Sequence, residues 1–190
     1  MKKTFLLSVL IPAVLFGAVS CGGDSANDKP ANAENPAAKA PEKDENDPEV
    51  FGRKLTELLI AGDHQSIDQL IISPDAMKKA IASSSVPANG KEAAISRADS
   101  EVMKMHSEIR AGVDTVRSLG TRNGLAWENA TVKQVIPQVD KSRGFEMLRL
   151  KCIVECNGVE SYFTVTDIVG TDNGWKLAGY FFYGDAPVGK

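Results

Sequence analysis

From Phe51 to Leu119 the apolar residues recur every three or four positions, and from Leu125 to Tyr183 they recur every second position. A chain that changes period once, and does not change back, cannot alternate strands and helices into a parallel sheet. Helices come first and strands last, which points to an α+β domain: N-terminal helices packed on an antiparallel four-stranded meander. From Glu49 onward about 140 residues are available, enough to bury a sound core.

The helical half carries its own punctuation. Asp47-Pro48-Glu49 reads as an N-cap, a proline at the first helical position and an early acid, followed by Phe51, Leu55, Leu58 and Leu59 on one face. Gly62 closes that helix and Asp63 caps the next, which carries Ile67, Leu70 and Ile71. Ser73-Pro74-Asp75 starts a third, with Met77, Ala80 and Ile81, and residues 83–90 read as loop. A long helix is expected from about Lys91 to Leu119, with Gly120 as its stop. Its stripe of Ile95, Ala98, Val102, Met105, Ile109, Gly112, Val116 and Leu119 has heptad spacing. Such a stripe lies along a sheet or serves self-association, and Gly112 is a place where the helix could break.

Candidate strands are Leu125–Pro137, Phe145–Cys156, Val159–Val169 and Trp175–Tyr183. Asn157-Gly158 is a strong hairpin signal. A two-residue turn there sets Cys156 against Val159, Val154 against Ser161, Cys152 against Phe163 and Leu150 against Val165. The same register places Asp167 opposite Leu148 on the apolar face, while Arg149, Lys151, Glu155, Tyr162, Thr164 and Thr166 take the other. Asp172-Asn173-Gly174 offers a second turn.

Before the domain, the chain is of another kind. Lys2 and Lys3 precede an apolar stretch from Thr4 to Val19, about 16 residues and short of the roughly 20 that span a bilayer. Ala18-Val19-Ser20-Cys21 follows and resembles the bacterial lipoprotein signal, with alanine where leucine is usual. That resemblance implies a signal peptide over residues 1–20 and acylation of Cys21, so that the lipid bilayer is a partner. The absence of aspartate after that cysteine, where Gly22 stands, implies the outer membrane of the cell envelope. Residues 21–47 hold seven acids and three lysines, and no Val, Ile, Leu, Met or aromatic residue, which predicts a disordered tether. Most of the net charge of −3 lies there, leaving the domain over residues 48–190 nearly neutral. Without a basic excess, nucleic acid is not an expected partner. Past residue 20 there is no uninterrupted 20-residue apolar span, which excludes a multi-span membrane protein.

Pro48-Glu49-Val50-Phe51, then Leu58-Leu59-Ile60-Ala61-Gly62-Asp63 with Ile67 and Leu70, and the late Gly174-Trp175-Lys176-Leu177 resemble the nuclear transport factor 2-like superfamily (SnoaL and ketosteroid-isomerase-like). Within it the similarity is to small bacterial lipoproteins. The resemblance implies a curved, cone-like sheet wrapping a long helix, with a cavity between them. Its members include isomerases, dehydratases, ligand binders and interaction modules, so fold alone does not select an activity.

Chemistry-bearing residues are few. Cys152 and Cys156, four apart in one strand, stand about 13 Å apart, too far to bridge, and read as buried thiols. His64 and His106 lie on separate helices without ligand spacing, so no metal site is expected. Asp167 is the candidate catalytic base of an isomerase-type site, or a solvated or hydrogen-bonded aspartate near a strand end. The tyrosine that such isomerases carry on their first helix has no counterpart before Tyr162. Trp127, Phe163, Trp175 and Phe181 are candidate pocket residues, with Tyr183 beside them and Tyr180 and Phe182 on the opposite face. No GxSxG, Walker, HExxH or paired CxxC motif occurs, and no cofactor is expected. The expected function is a membrane-tethered, non-enzymatic module that binds a small molecule or an envelope protein through a cavity or open sheet face. An isomerase or dehydratase using Asp167, or a structural homodimer, is the alternative.

Overall fold

The computed structural model describes residues 46–142 and 144–185. The leader, Cys21 and nearly all of the expected tether lie outside the described residues. Four α-helices come first: α1 (Pro48–Ala61), α2 (His64–Gln69), α3 (Pro74–Ser83) and α4 (Ala88–Arg122). A short 3-10 turn (Trp127–Asn129) leads to β1 (Thr131–Asp140), β2 (Met147–Cys156), β3 (Val159–Thr171), β4 (Gly174–Leu177) and β5 (Phe181–Tyr183). The strands form one antiparallel, unclosed sheet in the order β1-β2-β3-β4, with β5 also paired to β3. The protein is α+β. No helix among the described residues is long and apolar enough to cross a membrane.

The helix starts are where the caps put them. Asp47 accepts from the backbone N–H groups of Glu49 and Val50, Asp63 from Ser66, and Ser73 from Ala76. Gly62 takes the left-handed conformation (φ 68°) that ends α1. Helix α4 binds that end as well: Arg117 Nη1 donates to Leu59 O at 2.6 Å and to Ile60 O at 2.5 Å.

Helix α4 differs from expectation at both ends. It begins at Ala88, so residues 84–87 alone separate it from α3, and it runs through both Gly112 and Gly120. At about 1.5 Å per residue it is roughly 52 Å long. Each glycine serves an approach of another element. A Cβ on Gly112 would stand 3.2 Å from Phe181 Cβ, and Trp127 lies so close to Gly120 that no side chain fits there. The buried positions are Ala98, Val102, Ile109, Val113, Val116 and Gly120. The stripe therefore slips from Gly112 and Leu119 to Val113 and Gly120. That slip is the drift of a straight helix, which does not keep a seven-residue repeat.

The inner face of the sheet and the helices share one core, including Leu55, Leu59, Ile109, Val113, Leu150, Cys152, Val154, Phe163 and Leu177. A smaller cluster of Ile72, Val102 and Val169 packs under α3. Two expected strands are corrected. Leu125–Pro137 starts its strand only at Thr131, because Trp127 Nε1 donates to Arg117 O at 2.8 Å and holds residues 125–130 along α4. Trp175–Tyr183 is two strands, β4 and β5, broken at residues 178–180. The break faces an irregularity in β3.

Candidate functional site

The irregularity is a β-bulge. Near the Asn157-Gly158 turn (φ 51° and 81°) β2 and β3 pair in the expected register, from Cys156 with Val159 to Leu150 with Val165. Beyond that point Leu148 faces Ile168, so Thr166 and Asp167 together oppose Arg149. Asp167 is thus the extra residue, and its expected place on the apolar face opposite Leu148 is overturned. It takes φ 54°, the left-handed region that aspartate visits more readily than most side chains. The opposite edge must yield there. A Cβ on Gly179 would sit 2.5 Å from both Thr166 O and Asp167 Cβ, so glycine breaks the strand where the bulge needs room. Backbone bonds from Thr166 N to Tyr180 O (3.0 Å) and from Ala178 N to Asp167 O (2.9 Å) bracket the gap.

The bulge borders a cleft of about 230 Å³, lined among others by Gln138, Asp140, Met147, Arg149, Thr166 and Asp167. Arg149 is exposed between the buried Leu148 and Leu150, which puts it on the face of the sheet away from the helices. Asp167 is half-buried, and its Oδ2 accepts from Thr166 Oγ1 at 2.9 Å. The Asp140 carboxylate accepts from Ser142 N at 2.8 Å and Ser142 Oγ at 3.0 Å. Among the described residues Arg149 has neither a side-chain hydrogen bond nor an ion pair. Farther along this face Lys151 stands 4.0 Å over the Tyr162 ring, and Tyr180 and Phe182 lie 6.3 Å apart.

The candidate pocket aromatics are elsewhere. Trp127, Phe163, Trp175 and Phe181 are all 7% exposed or less. Phe163 and Phe181 stack at 6.4 Å inside the core. Trp127 packs against Gly120 with the Arg117 guanidinium 5.2 Å from its ring, and Trp175 Nε1 donates to Asn46 O at 2.7 Å. Only the two phenylalanines come together, and they fill space rather than surround it. Tyr183 is half-buried and its hydroxyl shares a 2.9 Å hydrogen bond with Ser161 Oγ.

Cys152 and Cys156 are free and buried. Burial pushes the Cys152 thiol up to about 12, partly offset by the Thr56 hydroxyl. A thiol held neutral in this way is a small hydrophobe rather than a nucleophile. The histidines lie at the seam of α2 and α4, His64 Nε2 3.1 Å from Asp114 and His106 Nδ1 3.7 Å from Asp68. His64 is half-buried there. Asp68 also binds Arg110, whose guanidinium holds its carboxyl below the ordinary carboxylate range.

A second cleft of about 340 Å³ lies between α3 and the β3–β4 turn, with Asp75, Lys79, Phe145 and Asp172 in its lining. Its charges already meet: Lys79 Nζ stands 3.9 Å from Asp172 Oδ2. The bulge cleft sets an uncommitted cation, Arg149, beside a carboxylate with which it forms no ion pair. Period-two alternation cannot reveal it, because a bulge is an exception to that alternation. The available signal was Gly179, a glycine inside an apolar strand pattern. Compared with protein-family models, curated proteins and solved structures, the chain matches none.

Proposed function

We propose that this chain is a lipid-anchored, non-enzymatic module of the bacterial cell envelope that binds its ligand on the helix-free face of the sheet. The observation that carries the binding half is the contrast between a filled core and an open cleft. Phe163 and Phe181 stack on each other and Trp127 is buried against α4, whereas Arg149 stands unpaired beside a cleft of about 230 Å³. The isomerase alternative needs Asp167 enclosed with an apolar substrate, and the bulge gives it a hydroxyl partner beside a polar cleft instead. The α+β arrangement is compatible with the nuclear transport factor 2-like resemblance.

Support for the anchor is the Ala18-Val19-Ser20-Cys21 sequence and the acidic, core-poor segment after it. A single acyl chain binds membranes marginally, whereas two or more anchor stably. The full chain is expressed in a bacterium with labelled palmitate, and the membranes are fractionated. Label in the chain and recovery with the outer membrane are expected, with both lost in Cys21→Ser. An unlabelled chain, or a Cys21→Ser variant that stays membrane-bound, overturns the anchor. For binding, native mass spectrometry of the chain released in mild detergent is expected to show a small adduct or a stoichiometric partner.

A further inference from the structure

We infer that the cleft beside the β-bulge takes a small zwitterion of the free α-amino acid type, with a carboxylate, an ammonium and a short apolar side chain. This deepens the binding reading of the same site and rests on it.

Charge pairing sets the argument. Several cations on the described surface engage nearby acids, as Arg110 does Asp68, Lys133 Glu155 and Glu160, Lys151 Asp185, and Lys79 Asp172, whereas Lys54, in one cleft with Glu57, does not. At the bulge Arg149 directly opposes the Thr166–Asp167 pair across the ladder, yet it forms no ion pair with Asp167. The left-handed turn at Asp167 and the close packing of Gly179 behind it hold the carboxylate where it is. A cation and an anion kept apart in one cleft, each with unused hydrogen-bonding capacity, match a ligand that carries both signs.

Simpler ligands fit less well. A plain carboxylate would find Arg149 but would also face the carboxylates of Asp140 and Asp167. A plain amine would find Asp167 and leave the guanidinium unused. A zwitterion satisfies both: its carboxylate accepts the forked donors of Arg149, and its ammonium donates to Asp167 Oδ1. Met147 supplies an apolar wall and Gln138 a further amide. At about 230 Å³ the cleft lies below the roughly 300–1,000 Å³ of drug-sized sites, which limits the ligand to a small molecule.

The test is isothermal titration calorimetry on the full chain in mild detergent, with L-leucine, L-alanine, N-acetyl-L-leucine and L-leucinamide. Leucine binding is expected, with the acetylated and amidated forms weaker by about tenfold or more, since each lacks one charge-assisted contact. Arg149→Gln and Asp167→Asn should each lose about tenfold in leucine affinity. Asparagine tolerates the same backbone conformation, and unchanged urea midpoints show that both variants keep the fold. N-acetyl-leucine binding as tightly as leucine, or Asp167→Asn binding like the parent, overturns the zwitterion. So does the absence of heat with all four probes. If native mass spectrometry then finds another small adduct, the ligand class alone has failed. If it finds no adduct or partner, the binding reading has failed with it.

Discussion

From Val159 to Val165, β3 alternates inward and outward in step with the near half of β2, while from Ile168 to Thr171 it does so one residue out of step. The near half pairs on its other edge with β5 and the far half with β4. The near half builds core, with Phe163 and Val165 buried against the helices. The far half builds core as well, with Ile168 and Val169 buried, and only Thr166 and Asp167, at the bulge between the halves, line the cleft from this strand. One inserted residue therefore separates a stretch whose faces follow from simple alternation from a stretch whose faces do not. A single inserted residue can put a cleft on one face of a strand without interrupting the core on the other.

Perturbing the near half should give the largest effect. Phe163→Ala removes a fully buried ring and its partner stacking with Phe181, and is expected to cost about 3–5 kcal/mol in urea unfolding. A loss below 1 kcal/mol would mean that the near half is not the core this comparison makes it. At the junction, Gly179→Ala forces a methyl against Thr166 O and Asp167 Cβ, with an expected cost of about 1–3 kcal/mol. It should also perturb amide resonances of the Thr166–Asp167 bulge more than those near Asn157.

The Cys152 thiol offers a pH test of the near half. Its folded value, about 12, lies above the ordinary 9.0, so above pH 9 the unfolded chain releases a proton that the native state keeps. Stability from this group is complete below pH 9 and falls as pH rises from 9 towards 12, by up to about 1.4 kcal/mol per pH unit. The urea midpoint of the parent should fall faster than that of Cys152→Ala between pH 8 and pH 10. Parallel curves would show that the thiol is not desolvated. The smallest effect is expected from Asp167→Asn, within about 0.5 kcal/mol, because asparagine also tolerates φ near +54°. Asp167→Val should cost more, since a β-branched side chain is strained there.

Much of the helical half was legible in the sequence. Asp47, Asp63, Ser73 and Gly62 act locally, through hydrogen bonds within a turn of themselves, and such signals survive without knowledge of what lies nearby. The hairpin around Asn157-Gly158 was legible for the same reason: two residues with positive φ set the register of their neighbours. The glycines of α4 misled, because Gly112 and Gly120 look like a break and a stop. Their purpose is to admit Phe181, which comes from far along the chain, and Trp127, which folds back from just past the helix end. The candidate site was half legible. Asp167 stood out as an acid in an apolar pattern, but Arg149 looked like any outward strand residue until the bulge set it opposite Thr166 and Asp167.

What the sequence determined by itself is the order and kind of the elements: helices before strands, each capped or turned by residues adjacent to it. It also carries the Ala18-Val19-Ser20-Cys21 sequence and the charge imbalance between the acidic N-terminal segment and the nearly neutral residues after it. Tertiary structure alone decided that Gly112 lies inside α4 against Phe181, where the last strand breaks, and which face Asp167 takes. Each of those outcomes depends on a contact between different elements, Gly112 of α4 with Phe181 of β5 and Gly179 with Asp167 of β3. Periodicity records only which face a residue prefers. Whether a neighbouring strand or ring leaves room for that preference is a matter of packing in three dimensions.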